Sequence, residues 1–132
     1  MKLNEAILLG SIGSEQGFGP DSMATKSPTK CAMGGALFAR GVDATFDNGL
    51  DMITKLYPWL LNQVLPPVTL PDTSHGRIID KPICIHGVIW RLNDILKWTR
   101  PQIAAWVATQ EAIYDVQPVE QPITEEVCLE VH

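Results

Sequence analysis

Apolar positions in the first stretch of the chain follow a helical spacing. Leu3 and Ile7 recur with Gly10 on one side and Ala6 beside them, which predicts a helix over 3–12 whose inner edge is partly made of small residues. The following segment, Gly10 to Lys30 (GSIGSEQGFGPDSMATKSPTK), has no period and is dense in Gly, Ser and Pro, so it reads as loop. A connection this long without structure of its own is usually functional or disordered. A second helix is expected next, with Ser27 as N-cap and Pro28 in its first turn, or with Thr29 as the cap. Arg40 and Gly41 suit its C-terminal end.

That second helix is thin. Cys31, Gly35 and Ala39 lie on one line at i, i+4, i+8, and Ala32 and Ala36 fill the next line. Each glycine costs about 1 kcal/mol of helix stability relative to alanine. The sacrifice makes sense if another backbone must come close, and Ala6 and Gly10 offer the complement.

Leu50, Ile53, Leu56, Leu60 and Val64 recur at helical spacing, with Asp51 and Lys55 as an i, i+4 pair, so a third helix should start after Asp47 or Asn48. Pro58 should break it near 55–57. The stretch 66–82 reads as loop, with PVTLP and GRIID as a weak pair of strands. Ile85, Val88, Ile89, Leu92 and Leu96 then trace one apolar stripe along a fourth helix. A fifth is announced by WTRPQI, in which Thr99 is the N-cap, Gln102 completes a capping box, Trp98 and Ile103 form a hydrophobic staple, and Pro101 needs no N–H. Its buried face should continue through Trp106, Val107 and Tyr114. Beyond Tyr114 the period is lost, two prolines enter, and the chain reads as an extended tail.

Charge sharpens this division. All ten Lys and Arg fall within residues 1–100 together with nine acids, whereas residues 101–132 hold six acids and no Lys or Arg. The expected organisation is a helical domain over 1–114 and an acidic tail over 115–132. Scattered basic residues cannot form the clustered face that nucleic-acid binding needs. TRPQIAAWVATQEA has the ring of a first helix of a helix-turn-helix, but no basic recognition helix follows it. No apolar run reaches the length of a membrane span, and Glu5 interrupts the one stretch that resembles a leader. Three widely spaced cysteines do not form a disulfide framework, which favours a reducing cytoplasm.

Three constellations bear on chemistry. Cys31 beside Lys30 at a helix start has the setting that lowers a thiol pKa, and with His86 and Asn93 it would complete a Cys–His–Asn arrangement. Against that, a free cysteine in a strip of small residues is most simply a packed one. Cys84 and His86, with Cys128 and His132, offer soft metal ligands, but Cys-x-His on a helix points its two ligands about 200° apart, so no metal site and no cofactor are expected. The glycines of GSIGSEQGFG lack the preceding strand and the Gly-Lys-Ser/Thr of a phosphate loop. Finally, His86, Trp90, Asn93 and Lys97, at i, i+4, i+7, i+11, form a row beside the apolar face of the fourth helix. With Phe18 of the long loop they are the candidate binding surface; the plainer reading, favoured because Trp and His are commonly partly buried, has Trp90 covering the rim of the core and His86 and Asn93 satisfying loop backbone groups.

KLNEAILLGSIG, KCAMGGALFARG and RLNDILKWTRPQIAAWV, taken together, resemble a group of small bacterial proteins. Members share an N-terminal helix, a helix of cysteine and small residues, a Leu-Asn-Asp segment, and a Thr- or Ser-capped helix ending in Ile-Ala-x-Trp. The resemblance runs in order to about Glu111. It implies a helical fold and brings no catalytic residues with it.

The sequence therefore predicts a mainly α, compact single domain of four or five helices with long loops, a minor two-stranded β element and an acidic C-terminal tail. Its expected role is a soluble, cytoplasmic, non-catalytic interaction or accessory module with a protein partner, itself a monomer or weak homodimer. The rival is a cysteine-dependent hydrolase or transferase using Cys31 with His86.

Overall fold

The structure is a computed structural model that describes residues 1–64 and 83–114. It is mainly helical. Among the described residues five α-helices occur: α1 (Leu3–Ile12), α2 (Ala32–Ala39), α3 (Gly49–Leu56), α4 (Ile85–Asp94) and α5 (Arg100–Tyr114). Two small sheets accompany them. β1 (Glu15–Gln16) pairs in parallel with β2 (Thr29–Lys30), and β3 (Gln63–Val64) pairs antiparallel with β4 (Ile83–Cys84). Short 3₁₀ turns occupy Pro20–Met23 and Pro58–Leu61.

The thinness of α2 is used on two sides. Leu3, Ala6, Ile7 and Gly10 form the buried edge of α1, as their spacing predicts. At the crossing, Gly10 rests on the peptide group of Gly35: a methyl group on Gly10 would stand 2.2 Å from the Gly35 carbonyl oxygen. The requirement is one-sided, because a methyl group on Gly35 would meet its nearest neighbours at an ordinary 3.7 Å. On another side, Gly34 faces the 3₁₀ turn at Pro20–Met23. A methyl group there would stand 2.1 Å from the carbonyl oxygen of Ser22. Two backbones thus lean on one short helix.

α5 holds α1 by its ends. Arg100, buried, donates through Nη1 to Ser14 Oγ (2.7 Å) and to the Lys30 carbonyl (3.3 Å), and through Nη2 to the carbonyls of Ser11 (3.3 Å) and Ser14. Glu111, also buried, accepts from the Leu3 backbone N–H (3.1 Å) and from Asn4 Nδ2. The two helices are therefore antiparallel, with a cation at the negative end of the α1 dipole and a carboxylate at its positive end. The lengths agree: ten residues of α1 span roughly 15 Å, and the eleven steps from Arg100 to Glu111 span roughly 16 Å. Glu111 is accordingly a buried carboxylate of the α1–α5 contact.

Residues 13–31 depart most from expectation. Thr29 and Lys30 are a strand, and α2 begins at Ala32 with Cys31 as its N-cap, so neither Ser27 nor Thr29 caps it. The supposed loop is knitted to the body by Gly17 N–H to Lys30 O (2.9 Å), Cys31 N–H to Ser22 O (3.1 Å) and Thr25 N–H to Ala44 O (3.0 Å). Pro28 agrees with this: it lacks an N–H, and the segment it enters is extended. The C-terminal end of α2 follows the sequence, with Arg40 as cap and Gly41 in the left-handed region at φ 73°.

Elsewhere the local signals hold. α3 ends at Leu56 ahead of Pro58, and Asp51 pairs with Lys55 at 3.0 Å. Thr99 and Gln102 form the reciprocal capping box at the start of α5, with Gln102 Oε1 accepting from Thr99 N–H (2.9 Å) and Thr99 Oγ1 from Gln102 N–H (3.3 Å). Ile103 and Val107 are fully buried. The PVTLP and GRIID strands and the 115–132 tail lie outside the described residues.

Gly10→Ala and Gly34→Ala should each lower stability by about 2–3 kcal/mol, although alanine favours a helix by about 1 kcal/mol. Gly35→Ala and Gly13→Ala, the latter with nothing within 4 Å of the added methyl, should stay within about 1 kcal/mol of the parent. Urea unfolding of the four variants checks the ordering.

Candidate functional site

Asn93 organises the face that carries the sequence-predicted residues. It is buried near the C-terminal end of α4, and both halves of its amide are used. Oδ1 accepts from the Ala32 backbone N–H (3.2 Å) and from Gln16 Nε2 (3.1 Å). Nδ2 donates to the Gly17 carbonyl (2.9 Å) and to Asp94 Oδ1 (2.7 Å). One side chain so ties β1, the following loop and the start of α2 to α4. Gln16 Nε2 also donates to the Trp98 carbonyl (2.6 Å), and Asp94 Oδ2 accepts from Gly19 N–H (3.1 Å). Asn93 is a structural joint, with its amide groups committed inside the fold.

Around this joint lies a cavity of about 150 Å³. The 3₁₀ turn Pro20–Met23 forms one wall, the start of α2 (Cys31 to Met33) the floor, and Ile89, Trp90 and Asp94 of α4 another wall, with Leu50 closing a side. Its lining is almost wholly apolar. The cavity exists because the turn rests on Gly34 and the loop is pinned by Asn93, which together fix the distance between turn and helix.

The predicted residues separate into two groups. His86 and Asn93 are buried, at 2% and 1% exposure, while Trp90 (39%) and Phe18 (46%) are open to solvent. Lys97 is exposed, takes the left-handed conformation at φ 57°, and places Nζ 4.0 Å from the centre of the Phe18 ring. Phe18 adjoins Gly19 on the cavity wall, and Trp90 lines the cavity itself. The row read from helical spacing is thus an outer pair of aromatics with a lysine, standing over an inner pair.

Cys31 is in contact with a different neighbour from the one the sequence suggests. It is 6% exposed, covered by the 3₁₀ turn, with its Sγ 3.4 Å from Met23 Sδ. α1 touches the other flank of α2. As N-cap, Cys31 Sγ accepts from Gly34 N–H (3.3 Å). Burial is the largest influence on the thiol and pushes its pKa above the ordinary value, outweighing the Gly34 amide that pulls it down. Lys30 does not counter this: its Nζ donates to the Ser27 carbonyl (2.6 Å) and lies over the Phe38 ring. An attacking thiolate requires the opposite shift.

No three His, Cys, Asp or Glu side chains among the described residues gather as a metal ion would need, and Cys128 and His132 lie outside those residues. Cys84, buried ahead of α4, is disulfide-bonded and so is not a free soft ligand. Sequence reasoning missed Gln16 and Arg100, which carry no local signal; Asp94, next to Asn93 at a helix end, was within its reach. No family model, curated protein or solved structure matches the chain.

Asn93→Ala leaves the Ala32 N–H and the Gly17 carbonyl without their partner and should cost about 2–4 kcal/mol, measured by urea unfolding. Cys31 and Tyr57 both have pKa values raised mainly by burial, so each stays protonated in the folded chain after its unfolded counterpart ionises. Their contribution to stability should therefore be constant through neutral pH and be lost as pH rises beyond the ordinary thiol value of 9.0. Melting curves that stay constant well into the alkaline range would contradict this.

Proposed function

We propose that the protein is a non-catalytic interaction or accessory module whose contact surface is the side bearing Phe18, Trp90 and Lys97. The observation that carries this reading is the exposure of two large aromatics on a base that cannot shift freely. Aromatic residues are the commonest energetic anchors of protein interfaces. Here Trp90 projects from α4, and Phe18 is held beneath Lys97 by a loop fixed through Asn93. An anchor ordered in advance loses less entropy on binding. Asn93, which the sequence placed on the same surface, holds the Phe18 loop through the Gly17 carbonyl, and His86 is buried.

The partner proposed is a protein, with the chain itself a monomer or weak homodimer. No helix among the described residues is long and apolar enough to cross a membrane. The cytoplasm, read from cysteine spacing, stays a proposal. Trapping the thiol state of Cys84 in intact cells decides between a reducing and an oxidising compartment.

The rival, an enzyme using Cys31 with His86, makes opposite forecasts. Native Cys31 should resist iodoacetamide at neutral pH and react at once after denaturation, read by mass spectrometry of the alkylated peptide. Ester, amide and thioester probes should not be turned over. Turnover lost on Cys31→Ala would overturn the proposal. A photo-crosslinking residue at 18 or 90 should give one defined protein adduct in cells, and the same residue at Lys55 should not.

A further inference from the structure

We propose that the cavity between the Pro20–Met23 turn and α4 is a binding site for one small, uncharged apolar molecule of about single-ring size. The space itself sets the size. An apolar cavity of about 150 Å³ is the volume that accepts a benzene-sized molecule. Met23 and Met33 supply adaptable walls, Leu50 and Ile89 aliphatic ones, and Trp90, also open to solvent, an aromatic one. The space cannot be closed by a further approach of the turn, because Ser22 already rests on the backbone of α2 at Gly34. The site is thus formed before any ligand arrives.

The lining also sets the chemistry, because its polar side chains make their hydrogen bonds inside the fold. Asn93 is fully engaged: Oδ1 takes two donors and Nδ2 meets two acceptors. Asp94 accepts at Oδ1 from Asn93 Nδ2 and at Oδ2 from Gly19 N–H, so each oxygen is held by a donor of the fold. Cys31 Sγ accepts from Gly34 N–H and donates to Met23 Sδ (3.4 Å), and burial keeps it a neutral thiol. A buried water makes about three hydrogen bonds, and these side chains have no such set to offer it. A charged or strongly polar ligand would give up its hydration with no replacement. An apolar ring gives up nothing and gains contact with every wall.

This site does not depend on the interaction surface proposed above: crosslinking at 18 or 90 can fail while the cavity still takes a ligand, and the reverse. The test uses the full chain with three probes that share one ring: toluene, benzylamine and benzoate. Binding is followed by NMR of ¹³C-labelled methionine methyls. Toluene should shift Met23 and Met33, which line the cavity, and leave Met1, which does not, unchanged. It should bind at least about tenfold more tightly than either charged probe. Leu50→Trp, which narrows the cavity from a partly exposed position, should weaken toluene binding about tenfold or more while the chain still melts cooperatively. In the parent chain, no shift at Met23 and Met33 up to the solubility limit of toluene would overturn the proposal without recourse to a variant. Charged probes that bind as well as toluene would overturn it equally.

Discussion

Gly10 lying against the peptide group of Gly35 is the contact on which the remaining architecture depends. A helix with normal side chains on every side would hold its neighbours at 8–10 Å between axes. α2 does not, and both α1 and the Pro20–Met23 turn come in until backbone meets backbone. With no side chains to fill those seams, the stabilising contacts must come from elsewhere. They come from α5, whose Arg100 and Glu111 complete the two ends of α1, and from Asn93, which closes the loop over the start of α2. Buried charges here satisfy helix ends, where they are matched by oriented backbone groups.

The same constraint shapes the candidate site. Because the turn is seated on Gly34, the thiol of Cys31 lies beneath Met23, away from solvent, and the space left between turn and α4 is narrow and apolar. Packing and site are therefore one feature seen from two sides. The residues that make α2 thin also decide that its cysteine caps a helix and lines a cavity, in a setting that raises its pKa.

Much of this was legible in the sequence. The period of Leu3, Ile7 and Gly10, the break at Pro58 and the capping box at Thr99 are local signals, each complete within a few residues, and the structure follows them. The thin face of α2 and its complement at Gly10 could be read because glycine in a helix is a cost that asks for a reason. What escaped were interactions between positions far apart in the chain. Nothing near Glu111 marks it as the partner of Leu3, 108 positions away. Arg100 looked like a first-turn helix residue, whereas the plainer reading of Asn93, as a side chain that satisfies loop backbone groups, is the one the structure follows. The turn-rich segment 13–30 was read as loop because its order comes from single hydrogen bonds to the body, which leave no period. Phe18, Trp90 and Lys97 are exposed, and their part in a contact surface is a proposal.

Native-state hydrogen exchange on the α1 and α2 amides tests the central claim most directly. If the two helices are joined backbone to backbone and α1 is held at both ends by α5, the inner amides of α1 and α2 open only with the whole domain, at one common free energy that matches urea unfolding. Amides of α1 that exchange far faster than those of α2, by a local opening that leaves α2 protected, would contradict it.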